Sequence, residues 1–370
     1  MTDGPRRRLG RGVAWGLSVA VLVVSGGIVW TTRGAGQSPA RVVLRSSVDL
    51  SPLGFSPDGS LFATAGGDAL TLWDTKTGRV VTSWEYRNEG WNPWAVFTRD
   101  GRAVAVFGQT KVQNTLSVSV FEVPSGRVLT KFTVPTGLAL PLWALPLAFM
   151  DDGRTLRLAR RSGATFEIAD YVGSKPAVRS LGPDFDPVTP LKRSLSADGM
   201  FLAETARNQS VVNVFDVDAG ARSSSTDFGT GGIMTWSSVS PGGKAVAVGR
   251  IAGTVDVRDT KTGRLVSRLP QPSPHRPPYW LKFSEDGGSV AVLRWYRPQR
   301  TWGNGVGFSP SRSRVLVDMV VFDAATGAVL GRGASAAPPI ISPDGRSIAA
   351  PDSPHSIRIL DVAPASHSKR

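Results

Sequence analysis

An all-β repeat protein is what this 370-residue sequence predicts: seven four-stranded antiparallel sheets in a ring, preceded by one membrane-spanning helix. Three observations lead there. A short phrase, an apolar residue followed by a polar link and an Asp-Gly or Gly-Gly turn, recurs seven times. A second landmark, an apolar stretch ending in a glycine turn whose fullest form is Asp-x-x-Thr-Gly, follows most copies. Near the N-terminus a run of uncharged residues is preceded by arginines.

The seven copies of the phrase are Phe55-Ser56-Pro57-Asp58-Gly59, Phe97-Thr98-Arg99-Asp100-Gly101, Phe149-Met150-Asp151-Asp152-Gly153, Leu195-Ser196-Ala197-Asp198-Gly199, Val239-Ser240-Pro241-Gly242-Gly243, Phe283-Ser284-Glu285-Asp286-Gly287 and Ile341-Ser342-Pro343-Asp344-Gly345. Their last glycines are 42, 52, 46, 44, 44 and 58 residues apart. A period in the forties with this punctuation belongs to arrays of four-stranded units. Asp-Gly supplies the positive φ of a tight hairpin between the first two strands, and the apolar residue before it pins the first strand into the core. The second landmark reads Trp73-Asp74-Thr75-Lys76-Thr77-Gly78 in its fullest form, with counterparts at Phe121–Gly126, Phe215–Gly220, Arg258–Gly263 and Phe322–Gly327. It joins the third strand to the fourth. Stretches such as Thr254-Val255-Asp256-Val257 alternate with the period of two expected of a half-buried strand.

On these residues the chain resembles a WD40-type β-propeller over residues 41–363, with seven blades. The resemblance is to a degenerate member. Trp-Asp proper occurs only at Trp73-Asp74, and the family's Gly-His dipeptide is missing, the histidines being His275, His355 and His367. The buried Asp-His-Ser/Thr-Trp network of regular members therefore cannot form. Similar turns also occur in TolB-like and YVTN-type propellers. Regular WD40 propellers are non-catalytic platforms, so the resemblance implies a protein-interaction scaffold.

Ring closure is legible as well. The last repeat ends at Leu360-Asp361-Val362 and lacks a fourth strand, followed only by a polar tail at 364–370, while a spare apolar stretch lies at 41–48. Residues 41–48 are expected to complete blade seven and remove its open edge.

At the N-terminus a basic tail (residues 1–11, with Arg6, Arg7, Arg8 and Arg11) precedes residues 12–30, which carry no charge. As a helix the uncharged run reaches about 28 Å, close to the hydrocarbon thickness of a bilayer. Trp15 and Trp30 lie near its ends, where indoles favour the interface. The run reads as a signal anchor in a single-pass membrane protein, N-terminus in the cytoplasm, with residues 31–40 as a tether and the propeller outside. The alternative is a secreted protein released by signal-peptide cleavage.

Composition narrows the function classes. With no cysteine, disulfides and thiolate metal sites are excluded. The net charge of +14 raises a nucleic-acid reading, but 34 of the 43 basic residues are arginine, a skew expected of GC-rich coding, and nucleic acid is not the expected partner. No His pair has metal-ligand spacing, and neither a Gly-x-Ser-x-Gly elbow nor a phosphate-binding loop is present. Asp151-Asp152 and Asp184/Asp186 read as turn residues rather than cation ligands. No catalytic residue, cofactor or metal is expected.

Binding is expected at the loop-bearing end. Both repeating turns fall at one end of each blade, so the irregular connections around 85–93, 134–143, 181–190, 227–234, 269–279 and 294–314 share the other. From Gly287 to Val317 there is no acidic residue, and Arg294, Arg297, Arg300, Arg312 and Arg314 are interleaved with Trp295, Tyr296, Trp302 and Phe308. That mixture suits bidentate capture and stacking; the alternative is an inserted hairpin whose aromatics pack on the blade. Trp94, Trp236 and Trp280 each precede their repeat's anchor residue by three, a spacing that fits either a recognition ring or packing between blades. Trp94, Trp236, Trp280, Arg297, Arg300 and Trp302 are the candidate partner-binding residues of a membrane-tethered, monomeric scaffold. Its alternatives are a ligand-binding or hydrolytic envelope propeller and a binder of anionic surfaces.

Overall fold

Sequence period and hydrogen bonding agree on seven sheets, each of four antiparallel strands. The computed structural model describes residue 38 and residues 40–362 apart from 87–90, 111, 113–114, 136–146, 151–154, 163–164, 173–174, 182–192, 207–208, 231, 270–276, 297–315 and 336–337. Blade one shows the pattern: Ser51–Phe55, Leu61–Gly66, Ala69–Asp74 and Val80–Glu85 pair in that order. Blades two to six repeat it, beginning at Trp91–Phe97, Leu147–Phe149, Arg193–Leu195, Met234–Val239 and Pro278–Phe283. The chain is a seven-bladed β-propeller.

Its core lies between the blades. In the second strand of blade two, Ala103–Gln109, Val104 and Val106 join the cluster shared with blade one, while Ala105 and Phe107 face blades three and four. A strand covered on both faces must be apolar at nearly every position. Outermost strands are covered on one face only, and Val128–Pro135 alternates between exposed and buried residues towards its end. Five of the anchor residues of the repeated phrase pack on the interface with the preceding blade: Phe55 on seven, Phe97 on one, Val239 on four, Phe283 on five and Ile341 on six.

Blade seven is assembled from both ends of the chain. Ile340–Ile341, Ser347–Ser353 and Ser356–Asp361 supply three strands, and Ala40–Arg45 pairs antiparallel with the last of them, Val43 opposite Arg358 and Leu44 opposite Ile357. The strand stops at Arg45; residues 46–50 lead into blade one, with Ser46 and Leu50 donating backbone hydrogen bonds to His355 and Pro354 carbonyls. Leu44 is fully buried against Phe55, Phe62 and Ile359. Arg41 donates to the Thr75 carbonyl at 3.1 Å and pairs with Asp361 at 2.6 Å. Fit to blade one is close: Gly78, at φ +71°, would place a Cβ 2.6 Å from Val42, so only glycine satisfies both the turn and the contact.

The turns carry a device beyond the expected glycine. Gly59, Gly101, Gly199, Gly287 and Gly345 have φ near +70°, but the aspartates before them do not. The turn is therefore not the two-residue hairpin that Asp-Gly suggests. Gly59 N–H donates to Ser56 C=O, as in a four-residue turn closed by a left-handed glycine. A hydroxyl three residues before each glycine holds it. Ser56 Oγ donates to Asp58 at 2.6 Å and accepts from Leu61 N–H at 2.9 Å. Thr98, Ser284 and Ser342 make the same pair of bonds with Asp100 and Ala103, Asp286 and Ser289, and Asp344 and Ser347. Blade five has Gly242 in place of the aspartate and keeps only the bond from Ala245 N–H to Ser240. The two turns of a blade are also tied together, Thr75 Oγ1 donating to Gly59 C=O at 2.7 Å and Thr260 Oγ1 to Gly243 C=O at 2.6 Å.

Removing residues 38–45 strips blade seven of its outer strand and uncovers the strand Ser356–Asp361. The truncated protein is expected to lose its single cooperative thermal transition and to aggregate, as read by calorimetry and light scattering; a soluble truncation melting like the intact chain would refute closure.

Candidate recognition face

Where both are described, the turn between the first two strands and the turn between the last two lie at one end of the blade, so the other end collects the remaining connections. These range from the two-residue turn Gly67-Asp68, with φ of +56° and +61°, to the link between Ser289–Tyr296 and Leu316–Asp323 in blade six. One end of the ring is uniform and the other is irregular.

Each of the three tryptophans enters at the same place on an innermost strand and packs between blades. Trp236 is 7% exposed within the apolar cluster of blades five and six. Trp280 is partly buried against that cluster and against the one between blades six and seven. Trp94, also partly buried, touches the cluster of blades two to four and that of blades seven and one. Trp94 and Trp280 thus keep accessible surface, and Trp236 keeps little. Arg297, Arg300 and Trp302 lie outside the described residues, as do Asp151-Asp152, Asp184/Asp186 and residues 12–30. Among the described residues no helix is long and apolar enough to cross a membrane, and no three His, Cys, Asp or Glu side chains group as metal ligands.

Arg294 departs from the sequence reading. It belongs to the strand Ser289–Tyr296 rather than to the loop, continues the face of Val290 and Val292, and is 1% exposed. Its counterpart in blade five is Arg250, 5% exposed, whose Nη1 donates to Gly232 C=O at 3.0 Å and whose Nη2 donates to Phe228 C=O. A buried arginine at the loop-bearing end of these two blades carried no signal in the sequence beyond the shared 44-residue spacing, because both interrupt apolar strands.

Blades three and four are joined by ions at the turn-bearing end. Arg157, 4% exposed, donates from Nε and Nη2 to the two oxygens of Asp170 at 2.7 and 2.8 Å. It reaches blade four through Asp218 at 2.9 Å and Gly199 C=O at 3.0 Å. Arg179 adds contacts to both aspartates. Burial of Asp170 opposes its ionisation, but the hydrogen bonds and charges of Arg157 and Arg179 outweigh it and hold the carboxyl below its ordinary range. Every guanidinium nitrogen of Arg157 has an acceptor within the cluster, which marks it as an inter-blade lock.

No family model matches the chain, and no curated protein matches it. Among solved structures, the β-propeller domain of Myceliophteria thermophila Cps50 (Swd1) superposes with a TM-score of 0.59 at 14% identity, over 88% of this chain and 100% of that one. At that identity the likeness is one of fold: this chain shares the β-propeller architecture of that domain.

Replacing Asp170 by Asn leaves Arg157 buried beside a neutral partner and is expected to destabilise the protein by about 3 kcal/mol near neutral pH. With its pKa lowered in the fold, Asp170 stabilises fully above the unfolded carboxylate value of about 3.9 and loses that contribution as pH falls through the native value. Melting temperature measured from pH 7 to pH 2 should therefore fall less steeply below about pH 4 in the variant. Identical acid limbs would show that the cluster does not sustain the ionised form.

Proposed function

We propose that this protein is a non-catalytic recognition module, tethered to a membrane by residues 12–30 and carrying its propeller outside the cytoplasm, which binds a protein partner through the irregular end of the ring. One observation carries the reading: hydroxyl-stapled turns make one end of the blades uniform, whereas connections at the other end differ in length and chemistry from blade to blade. A rigid scaffold with variation confined to one end is how loops are positioned for recognition. Fold alone does not decide function; the support comes from this asymmetry and from the arginine and aromatic residues that the sequence concentrates in blade six. The tether rests on the uncharged run and the arginines before it.

Crosslinking in the native membrane, followed by identification of the captured protein, tests the module directly. Replacing Arg297 and Arg300 together by Ala is expected to reduce capture at least about tenfold, the scale of 1.4 kcal/mol, with an unchanged melting temperature. Capture at the wild-type level would remove blade six from the interface. A reporter enzyme active only outside the cytoplasm, fused after Arg370, should be active; activity of a cytoplasm-only reporter at that position would overturn the topology.

A further inference from the structure

We propose that the loop-bearing end of the interface between blades five and six is a binding site for a small oxyanion, a phosphate or carboxylate group, gripped by the guanidinium of Arg294 with Arg332 beside it. This is separate from the partner-recognition reading, and either can fail without the other.

The argument begins with two arginines at equivalent positions. Arg250 and Arg294 are 44 residues apart, the spacing of the turn glycines Gly243 and Gly287, and each reaches back towards the blade before its own. Arg250 finds two carbonyls, those of Gly232 and Phe228. Arg294 finds one, at Gly253 of the turn in blade five, and that bond is long at 3.3 Å. Its Nε and Nη1 are buried and have no hydrogen-bond partner.

A buried guanidinium with unused donors is expensive, because its water has been removed and nothing has replaced it. Loss of the proton does not relieve it: burial lowers its pKa only to about 10, so the charge persists at neutral pH. Asp318, directly opposite on the neighbouring strand, attracts it without hydrogen bonding to either free nitrogen. Arg332, from the outer strand Val329–Ser335, adds a second positive charge that acts against Arg294. Among the described residues, two cations against one carboxylate leave an excess of positive charge where donors are unused. The planar fork of arginine matches the paired oxygens of a phosphate or carboxylate, a fit that chloride cannot provide.

The test uses the full chain at pH 7 and constant ionic strength, with inorganic phosphate or acetate replacing chloride. Binding is read by equilibrium dialysis of labelled anion and by melting temperature. Wild type is expected to bind one of the two anions saturably, and whichever binds identifies the oxyanion. Its melting temperature should rise by a few degrees, about what a ligand at a hundred times its Kd gives a domain of this size. Arg294→Met should abolish saturable binding. Arg332→Gln, at a half-buried position, should melt cooperatively and weaken binding about tenfold, and it decides the matter if Arg294→Met does not fold. The proposal is overturned if neither anion binds saturably up to about 100 mM, some hundredfold above a millimolar Kd. It is equally overturned if stabilisation rises without saturation in all variants, as general salt exclusion produces, or if Arg332→Gln binds like wild type.

Discussion

A four-stranded sheet has two edges, and in a ring of such sheets each inner edge faces the centre while each outer edge meets solvent. The last blade differs in that its outer strand comes from before the ring's first blade in sequence. Pairing of Ala40–Arg45 with Ser356–Asp361 joins the two ends of the propeller through backbone hydrogen bonds. Every interface of the ring then has a neighbour on both sides, and the cluster of Leu44, Phe55, Phe62 and Ile359 can close over the seam. Since the core is distributed among interfaces rather than held at one centre, opening this seam exposes two of them at once.

Blade geometry rests on a local device repeated with small variations. A serine or threonine hydroxyl, an aspartate and a left-handed glycine hold the turn between the first two strands, and the next turn is fastened to it by backbone and side-chain bonds. Burial of Asp58 opposes its ionisation, but hydrogen bonds from Ser56 and Ser60 prevail and keep the carboxylate charged below its ordinary range. At Asp74 the backbone and hydroxyl of Thr77 do the same. Such carboxylates belong to the frame. Their recurrence explains how a ring with little sequence regularity elsewhere keeps its period.

Charge is used differently at the two ends. Near the turns, Arg157 and Arg179 meet Asp170 and Asp218 in a cluster where donors and acceptors balance, joining blades three and four. At the loop-bearing end Arg250 is met by carbonyls, while Arg294 is buried with donors to spare. A fold that satisfies an arginine at one position and leaves it wanting at the equivalent position of the next blade has made a local exception. Exceptions of that kind are where ligands are to be sought.

The number of blades, the turn glycines and the origin of the closing strand could all be read from the chain, because each depends on short-range chemistry: a positive φ, an apolar anchor, a strand missing at one end and spare at the other. The hydroxyl of the turn was visible too, as the serine or threonine that recurs before Asp-Gly, though its role appears only when its oxygen is found between a carboxylate and a backbone N–H. What only the tertiary structure decided is which side chains meet across blades. Trp94, Trp236 and Trp280 share a sequence position, yet their exposure differs because each neighbouring blade offers a different surface. Arg157 and Arg294 both lie on second strands opposite an aspartate of the third, Asp170 and Asp318, and nothing local distinguishes the one that meets two aspartates from the one that does not. Partners separated by tens of residues are brought together by the rotation from one blade to the next, and that rotation is a property of the closed ring.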